Sequence, residues 1–196
     1  MTLRTQGSAG LDFFVSVLNR GRLRRCLIST CWVELTPPQD TATSALDWTA
    51  VETALALSLP DDYKALVQRY GSGAFDDFIW LLSPGASEQL DLLRQRQVRL
   101  DALQVLRDDG EPMPYDISAL LPWAITDNGD VLYWVVNKEL TANQWPVTIN
   151  ASRGPTWVQF DGAATEFLLS LLTGSFRLTI FPDDFPSTEP GFRRST

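Results

Sequence analysis

Two apolar runs on either side of a short polar turn limit the possible folds of this chain most. Residues 124–126 and 131–136 flank the turn at residues 127–130, whose sequence is Asp-Asn-Gly-Asp. Asn-Gly between apolar runs is the strongest short-range signal for a β-hairpin. Two further runs with strand character follow at residues 146–149 and 156–160. The sequence therefore predicts an antiparallel meander in the second half of the chain.

Helical spacing dominates the first half and returns near the end. Trp48, Val51 and Leu55 lie at i, i+3 and i+7, which predicts a helix with Ser44 as its cap. The remaining patterns predict helices from Pro60 to Tyr70, from Ser87 to about Arg107 and from Asp161 to Gly174, and a strand at residues 78–82. Strands and helices do not alternate as they do in βαβ units. The order therefore predicts an α+β fold with helices packed on one sheet.

The two glycines Gly71 and Gly73 could suggest a phosphate-binding loop. Such a loop runs from a strand into a helix, so that the N–H groups of the helix point at the anion. Here the predicted helix comes first and the strand at residues 78–82 comes second. We therefore expect these glycines only to separate the helix from the strand.

Composition divides the chain into three segments. Residues 1–45 show no regular period and end in a linker-like stretch, so we expect a poorly ordered or loosely docked extension. The apolar residues 13–18 could instead form a small helix that covers the core or meets a partner. Residues 46–178 are predicted to form the folded domain, and residues 179–196 to form a proline-rich, irregular tail.

Residue types that many enzymes need are scarce. The chain contains no histidine, which removes Ser-His and Cys-His nucleophile pairs and histidine metal ligands. Cys26 and Cys31 lack the second cysteine pair of a zinc site. Paired carboxylates occur, but turn or edge positions explain them, and the ligand series of a calcium loop is missing. We therefore expect a protein that is not an enzyme and binds no cofactor or metal.

Charge is distributed unevenly along the chain. Residues 1–45 carry five Arg against three acidic residues, whereas residues 46–196 carry eleven Lys and Arg against twenty-one Asp and Glu. An acidic surface repels nucleic acid and anionic lipid, so we expect neither nucleic acid nor a membrane as partner. A protein with a basic surface is the expected partner, although acidity also serves solubility alone.

The N-terminal segment lacks the charge order of a signal peptide. Its apolar stretch at residues 11–18 is too short to span a bilayer, and the basic cluster at residues 20–25 follows that stretch. We therefore expect a cytoplasmic protein.

One set of residues occurs in a fixed order, namely Trp48, Glu52, Leu59, Pro60, Tyr63, Tyr70, Gly71, Gly73, Phe78, Ile79, Pro84, Leu121, Pro122, Trp123, Ala124, Thr126, Gly129, Asp130, Leu132, Trp134, Trp145, Pro146, Val147, Trp157, Phe167, Leu168 and Gly174. This ordered set resembles the SUKH superfamily, the fold of fungal cell-wall-assembly regulators and of many bacterial immunity proteins. The resemblance runs from about residue 46 to residue 175, and Ala124 stands where the pattern often has glycine.

The resemblance implies an α+β domain with a single, mostly antiparallel sheet surrounded by helices, no catalytic centre, and a role in protein binding. Bacterial members typically neutralise a cognate toxin, commonly a nuclease, by stoichiometric binding. The alternative is a regulatory or scaffold module that recruits an endogenous protein. For contacts with the partner the sequence suggests acidic turns and an exposed aromatic anchor, namely Asp76, Asp77, Asp127, Asp130 and Trp145.

Overall fold

One open sheet of eight strands organises the protein, and its computed structural model describes residues 14–16 and 46–195. The strands follow the order β1-β7-β6-β5-β4-β3-β2-β8 across the sheet. In chain order they are β1 (Phe14–Ser16), β2 (Gly73–Phe75), β3 (Ile79–Leu81), β4 (Leu120–Thr126), β5 (Val131–Val135), β6 (Val147–Asn150), β7 (Trp157–Phe160) and β8 (Phe192–Arg194). All neighbouring strands are antiparallel except β1, which runs parallel to β7. The predicted α+β fold with a mostly antiparallel sheet is confirmed.

Four α-helices accompany the sheet within the described residues. They are α1 (Trp48–Leu55), α2 (Asp61–Tyr70), α3 (Leu92–Asp108) and α4 (Ala164–Leu172). All four occur where the helical spacing predicts them, but α1 and α3 begin later than predicted, at Trp48 and Leu92 rather than next to Ser44 and Ser87. Asp47 caps α1 through a bond from the Ala50 N–H (3.1 Å), and Asp91 caps α3 through a bond from the Arg94 N–H (2.8 Å). Within this part of the chain no helix is both long and apolar enough to cross a membrane.

The first face of the sheet carries the main core. Helices α1, α2 and α4 pack there, because each presents buried apolar side chains at helical spacing. Tyr63 of α2 lies at the centre, where its ring meets Trp134 of β5 edge to face at 4.9 Å. Its hydroxyl donates to the Leu82 carbonyl oxygen at 2.6 Å, which satisfies the buried polar group. Burial raises the pKa of Tyr63 far above its usual value, so this hydroxyl stays a donor.

The second face is covered by α3 over part of its width only. Leu103 of α3 lies in a smaller cluster with Val131 and Tyr133 of β5. Side chains alternate between the faces along a strand, so Leu132 and Trp134 join the main core instead. No helix of the described residues packs closely on the side of this face formed by β2, β3 and β8.

The segment after residue 178 is built into the fold, which corrects its assignment as a tail outside the domain, although residues 179–191 are irregular as predicted. Phe181 and Phe185 pack on Phe78 with ring centroids 5.0 and 4.9 Å apart, and Phe192 packs on Phe75 at 4.7 Å. All three C-terminal phenylalanines are buried. The last strand, β8, pairs with β2 at the edge of the sheet. The domain therefore extends to residue 195.

Gly73 allows this last strand to approach β2. A Cβ atom at position 73 would lie 2.3 Å from the carbonyl oxygen of Arg193 and 2.6 Å from the Cζ atom of Phe192. Both distances are far below van der Waals contact, so only glycine fits. The structure thus gives this glycine a packing role in addition to its place between α2 and β3.

The N-terminal extension predicted for residues 1–45 falls almost wholly outside the described residues. Only β1 is described, as a backbone strand beside β7. Cys26 and Cys31 lie outside the described part of the chain as well.

Candidate functional site

Three turns of the sheet come together at one end. In an antiparallel meander every second connection lies at the same end, which places the β2–β3, β4–β5 and β6–β7 turns side by side. The segment before β8 ends there too, because Phe192 pairs with Phe75. We call this end of the sheet the acidic end, after its exposed carboxylates Asp77, Asp127, Asp183, Asp184 and Glu189.

The two aspartates of the β2–β3 turn have different surroundings. Asp76 and Asp77 adopt left-handed backbone angles, with φ of 53° and 52°, and the turn is closed by a bond from the Phe78 N–H to the Phe75 oxygen (3.1 Å). The Asp76 carboxylate accepts bonds from the N–H and the hydroxyl of Ser187, at 2.7 and 2.6 Å. Asp76 therefore holds the C-terminal segment against the turn.

Asp77 points outward and pairs with the last strand. Its Oδ1 atom lies 2.5 Å from Nε of Arg193, and both side chains are more than half exposed. An ion pair in this setting contributes little to stability, since solvent screens it. Of the two turn aspartates, Asp77 is the one available to a partner.

Asp130 is buried, which corrects its assignment as a partner contact. The residue is only 3% exposed. Its carboxylate accepts a bond from the Thr126 hydroxyl at 2.7 Å and one from the Ser152 N–H at 2.8 Å. Asp130 thus joins the β4–β5 turn to the β6–β7 turn. Asp127, three residues earlier, remains exposed at the tip of the hairpin.

The burial of Asp130 leads to a stability prediction. Replacing Asp130 by Ala leaves the Thr126 hydroxyl and the Ser152 N–H without their partner, so we expect the free energy of unfolding to fall by about 2–3 kcal/mol. Urea denaturation followed by tryptophan fluorescence measures the change. The matched control is Asp127→Ala in the same turn, for which we expect a change within about 0.5 kcal/mol. Equal stability of the two variants would contradict the assigned role.

Trp145 is also buried, which corrects its assignment as an exposed anchor. Its side chain is 5% exposed and belongs to the main core, and its indole N–H donates to the Asn137 oxygen at 3.0 Å. The following strand, β6, lies between β5 and β7, so it is not an edge strand. Trp145 therefore has no free surface to offer a partner.

The structure instead suggests Trp80 as the aromatic residue that a partner could contact. Its position in a predicted strand favours a place in the core. Trp80 of β3 pairs with Ile125 of β4, and Ile125 pairs with Val131. These three side chains lie on the second face, where Val131 is buried in the smaller cluster with Leu103 of α3. Trp80 and Ile125 remain partly exposed. Because β3 has only three residues, its sequence is too short to show which side chains face the main core.

Trp80 and Ile125 form the floor of a groove of about 430 Å³. The Arg193 guanidinium lies over the Trp80 ring, 5.2 Å from its centroid, and Asp127 lies on the rim. Other lining residues include Gln89, Leu90, Thr126 and Ser195. The groove and the acidic end therefore adjoin through Asp127 and through the Asp77–Arg193 pair.

This arrangement combines an apolar floor with exposed carboxylates. Such a combination suits the contact with a protein that carries basic and apolar side chains, because charge steers the encounter and apolar burial holds the complex. Within residues 46–195, no three acidic or cysteine side chains are grouped so that they could hold a metal ion.

Comparison of the chain with protein-family models, with curated proteins and with solved structures finds no match.

Proposed function

We propose that this chain is a non-catalytic protein-binding domain that works as an immunity protein, which neutralises a cognate toxin by stoichiometric binding. One observation carries the proposal: exposed carboxylates gather at the acidic end beside the groove floored by Trp80 and Ile125. The resemblance of residues 46–175 to the SUKH superfamily supports the same function.

The electrostatics favour a basic partner. The whole chain has a net charge of −8, and the exposed Asp77, Asp127, Asp183, Asp184 and Glu189 concentrate negative charge on one end. A nuclease toxin needs a positive surface to hold its substrate, and an acidic inhibitor can occupy that surface after a fast, steered encounter. Inhibition then requires no chemistry from the inhibitor, only occupation of the surface.

The contact residues proposed here differ in part from those that the sequence suggests. Asp77 and Asp127 remain, as exposed carboxylates at the acidic end, and Trp80 takes the role of the aromatic anchor. Asp76 and Asp130 shape the turns that present these residues. The proposal places the protein in the cytoplasm of the toxin-producing cell, where the toxin must be blocked before export.

The test is co-expression with the product of the adjacent gene, which the proposal expects to be a large modular toxin. We expect the parent chain to restore growth and to co-purify with that protein in equal amounts. The Asp77→Lys/Asp127→Lys variant should lose protection and bind at least about 100-fold more weakly, because two attractive charges become repulsive. Isothermal calorimetry on purified proteins measures the affinity.

The matched control changes the same charge at the opposite end of the sheet. Glu139 and Asp161 follow β5 and β7, are exposed, and lie away from the acidic end. The Glu139→Lys/Asp161→Lys variant should protect as well as the parent. Equal loss in both variants would show that only net charge matters. Full protection by the Asp77/Asp127 variant would refute the proposed surface, and failure of the parent to bind would refute the immunity function.

A further inference from the structure

The outward face of α3 carries apolar side chains with no covering element among the described residues. Its inward face packs on the sheet through Leu103. On the opposite face Val98 is 42% and Val105 is 59% exposed, and Ala102 between them is exposed as well. These three positions lie at i, i+4 and i+7, so they form one stripe along the helix. An apolar stripe in the middle of a charged helix indicates a contact surface.

The charges along this stripe are complementary to a reversed copy of the same helix. About the midpoint between Asp101 and Ala102, Val98 mirrors Val105, and Arg94 mirrors Asp109. All of these residues are exposed. If a second helix lies antiparallel across this midpoint, each valine meets a valine and each Arg94 meets an aspartate. The small Ala102 near the midpoint allows the two backbones to come close.

We propose that two copies of this chain pair through α3, antiparallel about a twofold axis near Ala102. A twofold interface must be complementary to itself, and few helix surfaces meet this condition. The stripe on α3 is complementary to itself, because valine would meet valine and Arg94 would meet Asp109 across the axis. Within residues 46–195, no ion pair engages Arg94 or Asp109, so both are free to form the pair across the axis.

The size of the surface sets the strength of the dimer. One helix against one helix buries less area than a standard stable interface, so the dimer should form with micromolar rather than nanomolar affinity. The pairing involves neither the acidic end nor the groove. The proposed dimer is therefore independent of the proposed function, and an experiment can refute either proposal without affecting the other.

Sedimentation velocity over a wide range of concentrations tests the pairing. We expect the parent to shift from monomer to dimer as concentration rises, and Val98→Glu/Val105→Glu to remain a monomer. The matched control is Leu140→Glu, because Leu140 is 39% exposed and belongs to the connection between β5 and β6 rather than to α3. This control should dimerise like the parent. Circular dichroism checks that all variants are folded.

Charge exchange gives a sharper test of the antiparallel geometry. Arg94→Glu alone brings two acidic side chains together at each end of the interface, and Asp109→Arg alone brings two basic ones together. Each variant alone should therefore dimerise roughly ten-fold more weakly than the parent. In a mixture, the introduced glutamate of one copy meets the introduced arginine of the other, while the second pair stays Arg94 with Asp109. Mixing should therefore restore the affinity of the parent.

Three outcomes would overturn the proposal. The first is a parent that remains monomeric up to about millimolar concentration; photo-crosslinking from position 98 would then show whether another part of the same chain or a different protein covers the stripe. The second is a dimer that the two glutamates do not weaken. The third is a mixture of the charge variants that associates no better than either variant alone.

Discussion

Removal of residues 179–196 is expected to unfold this protein. The deletion takes away Phe181, Phe185 and Phe192, all buried, together with the edge strand β8. Truncating one buried phenylalanine to alanine costs about 3–5 kcal/mol. The total stability of a domain is about 5–15 kcal/mol. The loss of three such side chains, about 9–15 kcal/mol, is therefore comparable with the whole stability of the domain.

Limited proteolysis and thermal unfolding of the purified truncated chain test this expectation. The truncated chain should be digested rapidly and show no cooperative transition. A control keeps the length and changes only exposed residues of the same segment, namely Asp183, Asp184 and Glu189 to Ala. This control should unfold within a few degrees of the parent. A truncated chain with a normal transition would mean that the segment is dispensable.

Gly73→Ala is expected to destabilise the protein by about 3 kcal/mol or more, at the upper end of the cost of overpacking. The added Cβ atom would clash with the Arg193 carbonyl oxygen at 2.3 Å, and a backbone atom cannot move aside as the end of a side chain can. β8 must then shift away from β2. Urea denaturation measures the loss, and hydrogen exchange of the β2 amides should increase with it.

The matched control for this substitution is Gly191→Ala. A Cβ atom at position 191 would meet nothing within 4 Å, and the residue directly precedes the same strand. Its backbone angle is not among the left-handed ones, so alanine should be tolerated. We expect a change within about 1 kcal/mol. If both glycine variants lost the same stability, the cause would be backbone freedom rather than the close approach of β8.

The parts of the fold that the sequence predicts well are those set by local patterns. The hairpin of β4 and β5 follows from Asn128-Gly129 between apolar runs, and Gly129 indeed has a positive φ of 90°. The four helices follow from the spacing of their apolar residues. Their caps are harder to predict, because several polar residues near each start can accept the same backbone bond.

The parts that the sequence does not predict depend on contacts between distant residues. β8 pairs with β2, which lies far earlier in the chain, and its three residues carry no periodic pattern of their own. In the sequence Asp130 resembles an ordinary exposed turn aspartate, because its hydrogen-bond partner Ser152 lies in the next turn of the sheet. Trp145 looks exposed because a proline follows it, whereas its burial depends on the position of β6 within the sheet.

The candidate site could be predicted only in part for the same reason. The acidic turns are visible in the sequence, and the antiparallel order of the strands places them at one end. The groove cannot be predicted from the sequence, because it lies at the part of the second face that α3 does not cover. Trp80 reads as a core residue in a strand, and only the sheet register shows that it lies beside Ile125 with no helix above it.

The groove takes residues from β3, β4 and β8, so its parts span positions 80 to 195 of the chain. A ribosome must therefore translate the chain through Ser195, and that segment must emerge, before Arg193 can lie over Trp80 and complete the groove. A nascent chain that stops short of this point lacks the groove and, because Phe192 and β8 are missing, part of the core as well. Under the immunity function proposed above, neutralising capacity in the cell should then follow the supply of chains translated through this segment and lag behind the start of synthesis.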